Sequence, residues 1–194
     1  MWAFSRKALK IVGITYYDGR AELVLKSDSS MTVNRKPLFV PEVISDLQVL
    51  PCQVLRVSRL GRGVAPRFAS RYYDAVAPGL DFFGADLLRQ AKAQSAPWTE
   101  AVAFEGSLAI GNWLEAAAGE WQLVRDGQTI EAVAWTNEMQ DVFADAVARV
   151  SNMLTIRQGD LIYVALQQQP WSLQREDVLR CTADGQEHLY CKIK

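Results

Sequence analysis

Histidine is nearly missing from this chain, with His188 the one example in 194 residues. A histidine-based metal centre, or a Ser–His or Cys–His nucleophilic pair, therefore has a single position to draw on. Cysteine is scarce too. Cys52, Cys181 and Cys191 are an odd set that cannot all pair with one another, which argues against a disulfide scaffold and suits a reducing compartment. An excess of either charge is also lacking. Lys and Arg number 21 against 22 Asp and Glu, leaving a formal charge of −1, so no basic surplus points to nucleic acid or an anionic membrane. Arg56, Arg59, Arg62 and Arg67 are a local basic cluster, read as a solvated face. No apolar run approaches the ~20 residues that span a bilayer. The opening Met1-Trp2-Ala3-Phe4-Ser5-Arg6-Lys7 lacks the charged-then-apolar order of a secretion signal. The expectation is a cytoplasmic protein.

What is present fits one globular domain over residues 1–194. A hydrophobic content of 49% against 22% charged residues supplies a sizeable core, and a chain of this length buries about 70% of its unfolded surface. Lys10 to Tyr16 reads as a buried strand that ends at Asp18-Gly19, and Ala21 to Lys26 as a second strand followed by a Ser27-to-Ser30 loop. Leu38-Phe39-Val40 lies between Pro37 and Pro41 and is a short extended piece. Leu47 to Leu60 alternates as one strand. Pro66 to Tyr73 predicts a helix with proline in its first turn, and Gly84 to Gln94 another, with Leu87, Leu88 and Ala91 on one face. Strands are predicted at Val102-Ala103-Phe104, Leu108-Ala109-Ile110 and Trp121 to Val124, the last followed by the turn signal Asp126-Gly127. The longest helical pattern is Thr136 to Leu154, where Met139, Val142, Phe143, Ala146, Val150 and Met153 recur at spacings of three and four. Asp160 to Leu166 is a buried strand, and the chain closes with a hairpin at Asp184-Gly185. Many short strands with few helices and no regular β-α alternation indicate an α+β, mainly β domain.

A two-residue turn at Asp184-Gly185 sets Cys181 opposite His188 and Cys191 opposite Val178, which argues against a Cys181–Cys191 disulfide. Cys181 and His188 alone are too few ligands for a metal. Trp98, Trp113, Trp121, Trp135 and Trp171 are read as core or interface residues rather than pocket lining.

From Arg71 to Ser107 the chain reads RYYDAVAPGLDFFGADLLRQAKAQSAPWTEAVAFEGS. This stretch resembles the central segment of the fumarylacetoacetate hydrolase family, in its bacterial branch that includes 2-hydroxyhepta-2,4-diene-1,7-dioate isomerases. Five further pieces follow in family order. They are Lys10-Ile11-Val12-Gly13-Ile14 with Tyr16-Tyr17, then Lys26-Ser27-Asp28-Ser29-Ser30 (similar to a Lys-Pro-x-Ser loop), Lys36 to Pro41, Arg59-Leu60-Gly61-Arg62 with Arg67-Phe68-Ala69, and Ser151 to Ile162. The resemblance implies a β-rich barrel-like sheet flanked by a few helices, usually in a homodimer. It also implies magnesium or manganese as cofactor and a small keto acid as ligand.

In the family two glutamates of a Glu-x-Glu join an aspartate around the metal, because residues i and i+2 of a strand share one face. The aspartate falls on Asp81, in Gly79-Leu80-Asp81-Phe82. Counting back from Arg59-Leu60-Gly61 puts the glutamate positions on Leu50 and Cys52, and a slip of three residues gives Gln53 and Leu55 instead. Neither register holds a carboxylate, and a thiol is a poor ligand for a hard cation. The family's lysine falls on Val102 and its arginine on Ala85, with Asp86 retained; its glycine-rich loop becomes Val164 to Pro170, and its early histidine has no counterpart between Tyr17 and Lys26. Asp81 is either a vestigial metal ligand or a cap for the helix near Gly84, and the cap is favoured. Cys52 reads as a buried structural cysteine rather than a nucleophile.

Two functions follow from the resemblance. The first is a non-catalytic relative, a pseudoenzyme, that serves as a binding or subunit-pairing module, as a homodimer or as a heterodimer with an active paralogue. No cofactor is expected unless the magnesium or manganese site is completed by other residues. The second is a divergent hydrolase, isomerase or decarboxylase of a small, acylpyruvate-like keto acid, with altered or metal-independent chemistry and Glu100, Glu105 or Asp86 as its base.

Overall fold

The structure, a computed structural model, describes residues 9–17, 20–114, 120–134, 137–183 and 185–194. Two strands carry its centre. β4 (Leu47–Val57) and β5 (Tyr73–Gly84) are almost continuously buried, as strands covered on both faces must be. They pair antiparallel along their length, in a register that sets Leu50 against Asp81 and Cys52 against Gly79.

Around them forms a curled mixed sheet. β1 (Ile11–Tyr16) pairs antiparallel with β2 (Ala21–Lys26) and parallel with β9 (Leu161–Ala165). β9 pairs with β4, and β5 with β6 (Leu108–Ile110), which is joined in parallel by β3 (Met31–Val33). The order is β2-β1-β9-β4-β5-β6-β3, and the two-residue β10 (Trp171–Ser172) pairs with β4. A second sheet of β7 (Glu120–Arg125), β8 (Gln128–Ala134), β11 (Val178–Ala183) and β12 (Gln186–Lys192) runs in the order β12-β11-β7-β8. Mainly β and α+β, the architecture is the one the sequence pattern indicates.

The helices close the open faces. α3 (Asn137–Met153) lays Phe143, Ala146, Val147 and Val150 onto Val12, Ile14, Leu55, Val57, Ile162 and Val164. Its buried stripe is narrower than the heptad-like pattern suggests: Val142 is 41% exposed and Met153 67%. α1 (Ala85–Ala93) begins directly after β5 and buries Ala85 and Leu88.

Three local expectations are corrected. Pro66–Arg71 is a 3-10 turn rather than an α-helix. The predicted strand at Val102-Ala103-Phe104 does not exist: α2 (Thr99–Val102) ends there and a turn follows, with the Ala103 N–H donating to Thr99 O. In the last hairpin a bulge between Cys181 and Thr182 shifts the ladder, so Cys181 faces Leu189 and Cys191 faces Leu179. His188 is therefore not the cross-strand partner of Cys181, and all three cysteines are free thiols. Asp18-Gly19, Thr136, Asp184, Trp135 and Met1 to Lys7 lie outside the described residues, as does the side chain of Trp121. Among the described residues no helix is long and apolar enough to cross a membrane.

Candidate functional site

The interior of the curl contains a charge pair. Asp81 sits in the middle of β5 with no exposure, and its side chain shares a face with Leu50 and Cys52 of β4. Lys26, the last residue of β2, reaches across from the far margin of the sheet and places Nζ 2.7 Å from Asp81 Oδ1. Both side chains are fully buried. β1 and the residue after it supply two further donors: Thr15 Oγ1 donates to Asp81 Oδ2 at 2.9 Å, and Tyr17 OH donates to the same oxygen at 3.1 Å. The ammonium in turn donates to Ser107 O at 2.9 Å and to Ser107 Oγ at 3.0 Å, with the Tyr163 ring centroid 5.8 Å from Nζ. The cluster is neutral overall and richly hydrogen-bonded, the two conditions under which ions tolerate burial.

Burial governs the titrations. Desolvation lowers the Lys26 ammonium, and the Asp81 carboxylate opposes that shift. Burial, with a smaller push from Asp81, raises the Tyr17 and Tyr163 phenols and the Cys52 thiol well above their ordinary values. Cys52 is 1% exposed and stays a protonated thiol, which suits packing and not nucleophilic attack.

Asp81 is not a helix cap. β5 continues to Gly84, which takes the N-cap position of α1 without any side-chain cap hydrogen bond, while the Asp81 carboxylate points into the curl. Three of the positions that the resemblance assigns to the lost groups come together, while Cys52 packs in a separate cluster with Val54, Ala77 and Tyr163. Leu50, Val102 and Ala85 pack in one apolar cluster with Tyr17, Phe83, Leu88, Ala101 and Ala165.

The three candidate bases lie elsewhere. Glu100 is exposed on α2, at the rim of a surface hollow of about 270 Å³ between α1 and the Ala96-Pro97-Trp98 turn. Glu105 is exposed in the turn before β6. Asp86 lies in the first turn of α1 and accepts from the N–H and hydroxyl of Ser45. Partial burial raises its carboxyl, but these hydrogen bonds win and hold it below the ordinary range. Among the described residues no hydrogen bond or ion pair joins any of the three to Asp81. Trp98 packs edge-on against Tyr17 at 5.9 Å, Trp113 lies under Arg56, and Trp171 packs on the core at β4. In the basic cluster, Arg56 pairs with Asp74, Arg59 covers Tyr72 and Arg67 covers Phe68.

Does this donor set fit a divalent metal? Magnesium and manganese take hard oxygen ligands, usually several carboxylates or waters. Leu50, directly across from Asp81, offers none, and Cys52 is a soft and protonated sulfur. The ammonium beside the one carboxylate repels a second cation. Among the described residues no three His, Cys, Asp or Glu gather in a group that could hold an ion. The residues present do not fit the metal.

Lys26, Thr15, Tyr17 and Ser107 were not legible as site residues from the sequence. Two signals bear on Lys26: it heads the piece similar to the family's Lys-Pro-x-Ser loop, and it shares the period-two phase of Val24, which competes with the more apolar Leu23/Leu25 phase.

No curated protein matches the chain. Among solved structures, the fumarylpyruvate hydrolase of Pseudomonas aeruginosa in complex with Mn2+ and pyruvate superposes with a TM-score of 0.80 at 18% identity, over 100% of this chain and 94% of that one. The 5-carboxymethyl-2-hydroxymuconate delta-isomerase of Mycobacterium smegmatis gives 0.78 at 15% identity, over 96% and 78%. The 2-hydroxyhepta-2,4-diene-1,7-dioate isomerase of Mycobacterium marinum gives 0.77 at 20% identity, over 96% and 73%. At such identities these likenesses speak to the fold. The sequence itself matches the family model for the fumarylacetoacetate hydrolase C-terminal domain over residues 16–194, nearly the whole chain, and the chain belongs to the fumarylacetoacetate hydrolase family.

Proposed function

We propose that this chain is a non-catalytic member of its family, a binding or subunit-pairing module and not a hydrolase. One observation carries the reading: the Asp81 carboxylate is committed to Lys26 inside a closed, fully buried cluster, with Leu50 directly across the ladder from it. A carboxylate already neutralised and shut away from solvent has no free electrophile to hold and no substrate to meet. The alternative, metal-independent chemistry with a carboxylate base, gains no support from Asp86, whose hydrogen bonds stabilise the anion and weaken it as a base. Glu100 and Glu105 are surface residues.

A module of this kind acts through what it pairs with, either a second copy of itself or an active paralogue. A small keto acid remains the ligand class the kinship suggests, since the Pseudomonas aeruginosa relative was crystallised with pyruvate. Three buried free thiols are in keeping with the cytoplasm. The test is turnover. Purified protein is assayed for acylpyruvate cleavage and keto-acid decarboxylation, with and without manganese, beside Asp81→Ala. Rates equal to background in both proteins are expected. Activity in the natural chain that disappears in Asp81→Ala would sink the reading.

A further inference from the structure

We infer that Lys26 is the resident cation of this fold: its ammonium locks the curled sheet around Asp81 as a bound metal ion would, and the site does not take up divalent metal. This inference stands on the same cluster as the functional reading above, but not on the absence of turnover.

The geometry is that of a satisfied cation. An ammonium has three N–H donors and no acceptor, and Lys26 Nζ has three close acceptors, in Asp81 Oδ1, Ser107 O and Ser107 Oγ at 2.7, 2.9 and 3.0 Å. The Tyr163 ring covers it from another side. Asp81 is equally committed, because Thr15 and Tyr17 fill its remaining oxygen positions.

The partners also come from well-separated parts of the sheet. Lys26 ends β2, at one margin; Asp81 lies in β5 and Ser107 directly precedes β6, four and five strands away in the order β2-β1-β9-β4-β5-β6. Strands that distant in a sheet meet only because the sheet curls, and the lysine spans the curl's interior. Thr15 and Tyr17 tie β1 and the residue after it to the same point. One positive centre thus gathers three regions of chain, the structural service a bound cation gives. It arrives covalently attached, needs no uptake, and bars a second cation by repulsion.

The test uses the full chain. Titration calorimetry with manganese is expected to show no binding up to millimolar metal, and chelator is expected to leave the melting temperature unchanged. Lys26→Ala removes a propylammonium and strands a buried anion, so its melting temperature is expected to fall by roughly 10 °C or more. Added propylammonium recovers part of that loss and propanol does not. Should Lys26→Ala fail to fold, Lys26→Met is compared with Lys26→Met/Asp81→Leu, and the double variant is expected to be the more stable. Tight one-to-one manganese binding by the natural protein overturns the inference. So does a Lys26→Ala protein as stable as the natural one, equal rescue by propanol, or a double variant no better than Lys26→Met. The two readings fail separately. Turnover without manganese binding removes the functional proposal and leaves this one, while manganese binding without turnover does the reverse.

Discussion

Leu50 and Asp81 face each other across the β4–β5 ladder, on the same face and both without exposure, yet the aspartate finds its counter-charge far off on β2. The leucine is what makes that arrangement stable. A second carboxylate at position 50 would share the single ammonium and leave the cluster with a net buried negative charge. Leu50→Glu is expected to cost about 3–5 kcal/mol, read as a shift of the urea midpoint, whereas Leu50→Met costs less than about 1.5 kcal/mol because volume and polarity are kept. A Leu50→Glu protein as stable as the natural one would mean that the interior of the curl still accommodates a carboxylate set.

Gly13 makes a second, purely steric statement about the same region. It pairs with Tyr163 across β1 and β9, and the tyrosine ring folds over it: a Cβ on Gly13 would lie 2.0 Å from Tyr163 Cζ. Tyr163 also covers the Lys26 ammonium, so any displacement of its ring reaches the charge pair. Gly13→Ala is expected to cost about 1–3 kcal/mol or more as overpacking. Combined with Tyr163→Leu it should cost clearly less than the sum of the two single changes, a coupling that a double-mutant cycle measures directly. Strict additivity would show that the ring moves aside without loss.

Asp160 lies in the Ser151-to-Ile162 piece of the resemblance and anchors the start of β9. Its carboxylate, 3% exposed at the mouth of β9, accepts from the N–H of Lys10 at 3.1 Å and of Arg157 at 2.7 Å, and pairs with the Lys10 ammonium. Gly159 before it adopts φ +94°, a backbone that disfavours side chains. These contacts fix where β9 enters alongside β1. Asp160→Ala is expected to lose about 2–3 kcal/mol, since two partly buried N–H donors and the Lys10 ammonium lose a charged acceptor. Asp160→Asn, which keeps one acceptor oxygen, is expected to lose less. Equilibrium urea unfolding of the two variants gives the ranking.

The parts of this fold that were legible in the sequence are those in which local pattern and tertiary environment agree. The apolar runs of β1, β4 and β9 and the helical spacing of Phe143, Ala146 and Val150 each had one sensible burial. The misread pieces needed long-range information. A bulge at Cys181/Thr182 is invisible to a count from the turn. Val102-Ala103-Phe104 is apolar because Val102 and Ala103 pack in the cluster of Leu50 and Phe104 against that of Leu38 and Leu80, not because it is extended. Asp81 was found through its motif, but its role was not: an aspartate shortly before a helix looks like a cap until β5 is seen to run on to Gly84. Lys26 was the hardest. In Ala21–Lys26 the alternation offers Leu23 and Leu25 or Val24 and Lys26 as the inward set, and residue hydrophobicity favours the leucines. The fold leaves Leu25 53% exposed and buries Lys26 to 4%, a choice that only the distant Asp81 makes favourable.

The last prediction concerns alkali. Burial raises the Cys181 thiol to about 12, with Cys191 adding to the shift, and raises Cys191 to about 11, against about 8.5 for a free thiol. Because both folded values lie above the unfolded ones, the folded chain keeps protons that the unfolded chain releases. Their stabilising contribution is complete below about pH 8.5 and is lost as pH rises toward 11 and then 12. Within that window each thiol lowers stability by about 1.4 kcal/mol per pH unit. The raised Cys52, Tyr17 and Tyr163 act in the same direction and the lowered Lys26 in the opposite one, so the decisive quantity is a difference between proteins. Urea unfolding from pH 8.5 to 10.5 is expected to give a shallower loss of stability in Cys181→Ala/Cys191→Ala than in the natural chain, whatever the absolute cost of the cavities. In parallel, the native protein at pH 8 should leave a thiol reagent almost unconsumed and release all three thiols on unfolding. Parallel slopes in the two proteins would place these cysteines in contact with solvent, and with it remove the dry packing between β11 and β12 on which the prediction rests.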